Sequence, residues 1–346
     1  MYKIVSFVIL TGDWMIRSSG LALSLDRKEK GANADFISHA HTDHIASAKS
    51  SKNVIASKET VDLLEEFRGI RINQVRLPRS VKLLDAGHML GSKQIVIEDE
   101  NNGKRIIYTG DFQLQKSRAC SRIEIESADT IIVDSTYFDP DIKFEPREET
   151  ESAIQFWTEL KLMSGIVLFG TYSVGKAQEL IAILNEQGIV PLVSKKISAA
   201  SEVYIKNGIK LDYASATHNK GDFDQLVGGN FVGIVENNTM RAISARLGSK
   251  YGKRVFTAVA TGMSMMMNFN TDVQFALSDH ADFSQVVDYI NATGAKHIFT
   301  YGQNASLLAH NLEKAKYSAL PYMGIGMALN NITRIDLNKT PDLQPL

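Results

Sequence analysis

The stretch that most constrains this chain is Ser38-His39-Ala40-His41-Thr42-Asp43-His44, which follows the short apolar run Phe36-Ile37. On an extended backbone residues two apart point the same way, so His39 and His41 leave the end of a strand side by side. Asp43 and His44 follow on the turn behind them. An exposed polar loop would also accept these residues. Three imidazoles and a carboxylate at this spacing, however, form the mixed nitrogen and oxygen donor set that zinc takes. Two ions sharing a carboxylate need the same mixture.

Two later segments supply the missing donors. Asp85-Ala86-Gly87-His88-Met89-Leu90-Gly91-Ser92 places one histidine between glycines, where the backbone can approach a bound group closely. Tyr108-Thr109-Gly110-Asp111-Phe112 ends a strand on an aspartate, a position suited to a bridging carboxylate. Alone, His88 reads as a loop histidine and Asp111 as a turn residue or helix cap; beside the cluster both read as ligands. The single cysteine, Cys120, excludes an internal disulfide and a cysteine-rich zinc site, and it fits a reducing, cytoplasmic setting.

At ~150 residues per domain, 346 residues point to two domains. The first third reads as short strands: Ile4–Leu10, Gly20–Asp26 and Asp35–Ser38. The opening run is a strand rather than a signal peptide, because no small-residue cleavage site follows it. From Glu148 onward helix and strand patterns alternate, as a parallel sheet covered by helices requires. They include a helix over Glu148–Leu162, a helix over Lys176–Asn185, a strand over Ile189–Val193 and a helix starting at Asn238. Strand Val273–Ser278, helix Phe283–Thr293, strand His297–Tyr301 and helix Ala305–Ala315 follow, and the tail from Asn338 reads as frayed. Acidic residues number 39 and basic residues 38, a net charge of −1. That balance excludes nucleic-acid binding by bulk charge but allows a local basic groove. No apolar run approaches the ~18 residues of a membrane span. A homo-oligomer is compatible with the chain.

In this order, H-x-H-x-D-H, Gly-His with Leu-Gly-Ser, and Thr-Gly-Asp-Phe resemble the metallo-β-lactamase fold. Three further segments are similar to its β-CASP branch, the nucleases of RNA 3′-end processing, RNA decay and DNA cross-link repair. They are Val133-Asp134-Ser135-Thr136-Tyr137, Thr171-Tyr172-Ser173-Val174-Gly175-Lys176-Ala177-Gln178-Glu179, and Ala276-Leu277-Ser278-Asp279-His280-Ala281-Asp282-Phe283. The resemblance implies an α/β protein: a metallo-β-lactamase αββα sandwich with an inserted α/β β-CASP domain. Residues 1–145 and 273–346 would form the sandwich and residues 146–272 the insertion.

The resemblance also implies roles. His39, His41 and His88 would hold a first zinc, Asp43 and His44 a second, and Asp111 would bridge both. Water between the ions would become the hydroxide that attacks phosphorus, a catalytic step in which Asp43 shares as a ligand. His280 would be the general acid and Asp134 its carboxylate partner. Asp26 would support the metal-bound histidines from behind; a turn aspartate is its plainer reading. Lys176, at a helix start after Gly175, would bind phosphate, against the plainer reading of a solvated lysine. His218 matches no family position and reads as a surface histidine.

One position departs from the pattern. RNA-processing members carry a later histidine that completes the second zinc site; here the count falls on Gly302, or on Tyr301 with a one-residue slip. DNA-acting members also lack it. The expectation is one tight zinc and a weaker second ion, with manganese an alternative metal, and a single-stranded nucleic-acid substrate. RNA 3′-end processing or decay is the first reading and a repair-type DNA exonuclease the alternative. A weakly active nucleic-acid-binding relative and a small-molecule metallo-hydrolase such as a thioesterase are the rivals from other classes.

Overall fold

Short β-branched runs broken by Gly, Asp and Asn give narrow strands, and the first five lie in one mixed sheet. In the computed structural model, which describes residues 9–322 apart from 12–13, 19–20, 102 and 216–227, these are β1 (Ile9–Thr11), β2 (Met15–Ser18), β3 (Leu21–Leu25), β4 (Ala34–Phe36) and β5 (Val54–Ile55), paired in that order. Helix α1 (Lys58–Asp62) starts at Ser57, whose Oγ accepts from the Thr60 amide at 3.0 Å, and winds on into a π turn at Leu63–Phe67. Strands β6 (Val81–Asp85), β7 (Lys93–Glu98) and β8 (Arg105–Tyr108) form an antiparallel ladder, and β9 (Thr130–Asp134) joins β8 in parallel.

Helix α2 (Arg147–Leu162) opens the alternating region. It continues through β10 (Ile166–Thr171), α3 (Lys176–Asn185), β11 (Leu192–Val193), α4 (Lys195–Lys206), β12 (Val232–Glu236), α5 (Asn237–Tyr251), β13 (Val255–Ala260) and β14 (Val273–Phe275). Its five strands form an all-parallel sheet in the order β11-β12-β10-β13-β14. Then α6 (Phe283–Thr293), β15 (His297–Tyr301), α7 (Ala305–Lys314) and β16 (Ala319–Pro321) complete the second sheet, β16-β15-β9-β8-β7-β6.

The first two sheets pack face to face. Ile16, Leu23 and Phe36 of one meet Ile95, Ile106 and Ile132 of the other, all essentially solvent-free. Each such side chain contributes about 1.5–3 kcal/mol by leaving water. The outer face of the second sheet, including Ile131 and Val133, is covered by Tyr289 of α6 and Leu308 and Leu312 of α7. In the third sheet α2 and α3 cover one face and Met240 of α5 packs on the other. Ala200, Val203 and Tyr204 of α4 share a core with Ile37, Leu63 and Leu64, which fixes the alternating region against the sandwich.

Several elements differ from the sequence pattern. The strand expected over Val273–Ser278 is only Val273–Phe275 and pairs with β13, so the third sheet extends past residue 272. The strand expected over Ile189–Val193 shrinks to Leu192–Val193, because Pro191 has no amide hydrogen to give a ladder. Asn237–Tyr251 is helical throughout and ends at Gly252 in the left-handed region. Most of the strand expected at the N-terminus, His218 and the tail from Asn338 lie outside the described residues. Among the described residues no helix is long and apolar enough to cross a membrane.

Candidate metal centre

Parallel pairing places the site. Strands β3 and β4 run parallel, as do β8, β9 and β15, and their C-terminal ends carry Asp26, Ser38-His39, Asp111, Asp134 and Tyr301. His88 comes from the β6–β7 connection. His39, His41, His88 and Asp111 each bring one donor atom to a group whose members all lie within 4.8 Å of one another. Asp111 Oδ2 is the hub: 3.5 Å from His39 Nε2, 3.8 Å from His88 Nε2 and 3.3 Å from His44 Nε2. His88 Nε2 and His41 Nδ1 are 3.1 Å apart.

The outer ring nitrogens are already occupied. His88 Nδ1 donates to the Asp279 carbonyl at 2.8 Å and His41 Nε2 to the Val174 carbonyl at 3.3 Å. His39 Nδ1 meets Ser38 Oγ at 2.9 Å. His88 Nε2 and His41 Nδ1 are thereby left with lone pairs aimed inward, the tautomers that metal ligation needs. His39 Nε2 is buried and has no hydrogen-bond partner. An orphaned nitrogen facing a carboxylate among two neutral imidazoles fits a divalent cation and little else. Burial pushes His39 well below the ordinary imidazole range, lowers His41 and takes His88 down to about 3, so all three stay neutral. Burial works against Asp111 ionising, but His44 and His280 outweigh it and hold that carboxyl well below its usual range.

The second-ion residues are present but less enclosed. His44 Nε2 lies 3.5 Å from Asp43 Oδ2, whose side chain is largely exposed. The His44 contact lowers the Asp43 carboxyl, against burial. Asp26 holds the other side of His44, with Oδ2 2.8 Å from Nδ1. It also accepts from the Ser38 amide at 2.6 Å, Ser38 Oγ at 2.7 Å and the Tyr108 hydroxyl at 2.7 Å. Asp26 adopts φ 54°, a strained conformation for a residue with a side chain. Gly110, at φ 53°, cannot carry one: a Cβ there would lie 2.6 Å from Ser38 Cβ.

His280 sits opposite the donor set. Its Nδ1 is 2.9 Å from Asp134 Oδ2 and its Nε2 is 3.9 Å from Asp111 Oδ2. Thr136 donates to Asp134 Oδ1 through its amide and its hydroxyl. Burial would depress His280, but Asp111 and Asp134 outweigh it and lift the ring to about 9. Lys176 is not where a phosphate could reach it. It is 2% exposed and its Nζ lies 3.1 Å from Asp279 Oδ1, so both the phosphate-binding and the solvated readings give way to a buried ion pair. Asp279 and Tyr301 also adjoin the centre, through His88 and Asp111, and nothing in the sequence alone marks either for the site. Asp279 precedes His280 in the Ser-Asp-His-Ala-Asp segment.

The centre opens into a cleft of about 800 Å³. Its walls include Phe67, Arg68, Tyr172, Lys196, Met263 and Met266, drawn from both sides of the fold. No family model matches the chain. It is 29% identical over 295 residues, 81% of its length, to a probable DNA ligase of Opitutus terrae. It is 31% identical over 190 residues, 51% of its length, to the DNA cross-link repair 1A protein of Mus musculus, and 28% identical over 188 residues, 45% of its length, to an RNase J-like protein of Methanocaldococcus jannaschii. The chain is thus similar in sequence to proteins of the β-CASP branch of the metallo-β-lactamase family. It spans only 28%, 18% and 44% of the length of those three relatives. In this chain His39, His44 and His88 converge on one oxygen of Asp111, and the phenol of Tyr301 donates to the other.

Proposed function

We propose that this chain is a zinc-dependent nuclease, with manganese as an alternative metal, that hydrolyses phosphodiester bonds of single-stranded nucleic acid. The observation that carries the reading is the buried, unpartnered His39 Nε2 in a four-donor set that faces the His280–Asp134 pair. His39, His41, His88 and Asp111 would hold the tighter ion, and Asp43, His44 and Asp111 a second. When bound, such ions acidify water and neutralise phosphate charge.

The chain's own groups do the rest. Asp26 and the Asp279 and Val174 carbonyls keep the imidazoles in their ligating tautomers. Asp111 and Asp134 hold His280 protonated at neutral pH, so its Nε2 can give a proton to the leaving alkoxide. Tyr172, 55% exposed on the cleft wall, offers a face on which a base can stack, and Arg68 and Lys196 offer charge to the backbone. A cytoplasmic setting suits the single cysteine.

DNA is the favoured polymer. The position at which RNA-processing members of the family carry a histidine falls here on Gly302, or on Tyr301 with a one-residue slip, and two of the relatives above are named for DNA ligation and DNA cross-link repair. The RNase J-like relative makes RNA the alternative. Incubating the protein with 5′- and 3′-labelled single-stranded DNA and RNA, with and without zinc or manganese, tests both. Metal-dependent shortening of DNA in preference to RNA is expected. Faster RNA cleavage reverses the polymer assignment, and no cleavage of either overturns the nuclease reading.

A further inference from the structure

Tyr301 ends β15 with its side chain buried beside the centre. Its ring lies 4.8 Å from that of Tyr108 and 6.1 Å, edge-on, from that of Trp14, so packing fixes its direction. Its hydroxyl donates to Asp111 Oδ1 at 2.9 Å. The histidines around Asp111 meet the other oxygen: His39, His44, His88 and His280 all lie within 3.9 Å of Oδ2. The carboxylate is thus divided, with one oxygen turned to the imidazoles and the other tied to a phenol.

We propose that Tyr301 is a positioning residue that keeps Asp111 Oδ1 out of metal coordination. Asp111 then serves the His39–His41–His88 ion through Oδ2 alone. A second ion is left with Asp43, His44 and a share of that one oxygen, short of the four donors that zinc takes. The weakness of the second position is on this view an active feature of the chain, set by a hydroxyl, rather than only the loss of a nitrogen ligand. The inference rests on the metal reading above.

The test is a titration of metal-free protein with Mn²⁺, followed by electron paramagnetic resonance and by competition with a chelator. Wild type should show one tight and one weak ion. Tyr301→Phe keeps the ring packing and removes only the hydroxyl. It should tighten the second ion by roughly tenfold or more, the scale on which groups behind metal ligands act, and leave the first nearly unchanged. A spin-coupled Mn²⁺ pair should then appear at concentrations where wild type shows an isolated ion. Tyr301→His, which supplies a nitrogen as well, should also tighten the second site; urea midpoints of both variants give the folded fraction. An unchanged second-site affinity in Tyr301→Phe overturns the inference, and so does a weaker one, which would make the hydroxyl itself a ligand. Wild-type protein that binds no Mn²⁺ at the first site instead overturns the metal reading beneath it.

Discussion

Replacing Asp134 with Asn leaves the shape of the site in place and removes the charge that faces His280 Nδ1 at 2.9 Å. With His280 at about 9, the ring is protonated in about 97% of molecules at pH 7.5. Asp111 also raises the ring, so losing the Asp134 charge lowers it only part of the way; a full return to an ordinary ~6.5 would leave about 9% protonated at that pH. A reaction that needs the proton should therefore slow at pH 7.5 by up to about tenfold, yet by less than about twofold at pH 6. The sign follows from the protonated form being the working one. Activity falls as pH rises through the ring's pKa, about 9 in wild type, and that limb moves to lower pH in Asp134→Asn. His280→Ala should cost about 10²–10⁴ in rate on an oligonucleotide, and far less on bis-nitrophenyl phosphate, whose leaving group needs little protonation. His280 lies outside the four-donor set, so both variants should keep the tight metal by elemental analysis. The assay is a pH–rate profile on both substrates. A pH-independent loss in Asp134→Asn, equal losses on the two substrates in His280→Ala, or loss of the tight metal would refute the assignment.

Other substitutions probe separate parts of the argument. Lys176→Met strips Asp279 of its buried partner and should lower stability by about 3 kcal/mol in urea unfolding. It should leave the salt dependence of nucleic-acid binding alone; a flatter salt slope would put Lys176 back on the substrate. Gly110→Ala forces a side chain into a left-handed backbone against Ser38 and should cost about 2 kcal/mol or more, whereas an unchanged unfolding midpoint would contradict the close approach. Lys196→Ala should reduce the slope of log affinity against log salt by about one. Tyr172→Ala should weaken single-strand binding by about 1–3 kcal/mol; equal affinity in both variants would move the strand off this wall.

The cluster of candidate ligands is legible in the sequence because its chemistry is local. His39, His41, Asp43 and His44 lie within a few residues, and His88 and Asp111 each stand beside a glycine that announces a tight turn. What could not be read is burial and direction. Lys176 after Gly175 has the sequence of an exposed helix start, and only the packing of α3 against the sandwich turns its ammonium inward to Asp279. Asp26 could be placed after an apolar strand, but its left-handed backbone, which brings Tyr108, Ser38 and His44 onto one carboxylate, has no signature in the letters. Strand boundaries moved where a neighbour decided them, as when β14 joined β13 in the parallel sheet.

The carbonyls that fix His41 and His88 come from far along the chain. His41 reaches Val174 across 133 positions, and His88 reaches Asp279 across 191. Contacts of that separation require large loops to close, and chains rich in them fold slowly. His41 and His88 are made within the first hundred residues, yet the carbonyls that set their tautomers arrive only with Val174 and Asp279. A chain still being synthesised or partly folded therefore carries a loose imidazole cluster rather than a finished centre.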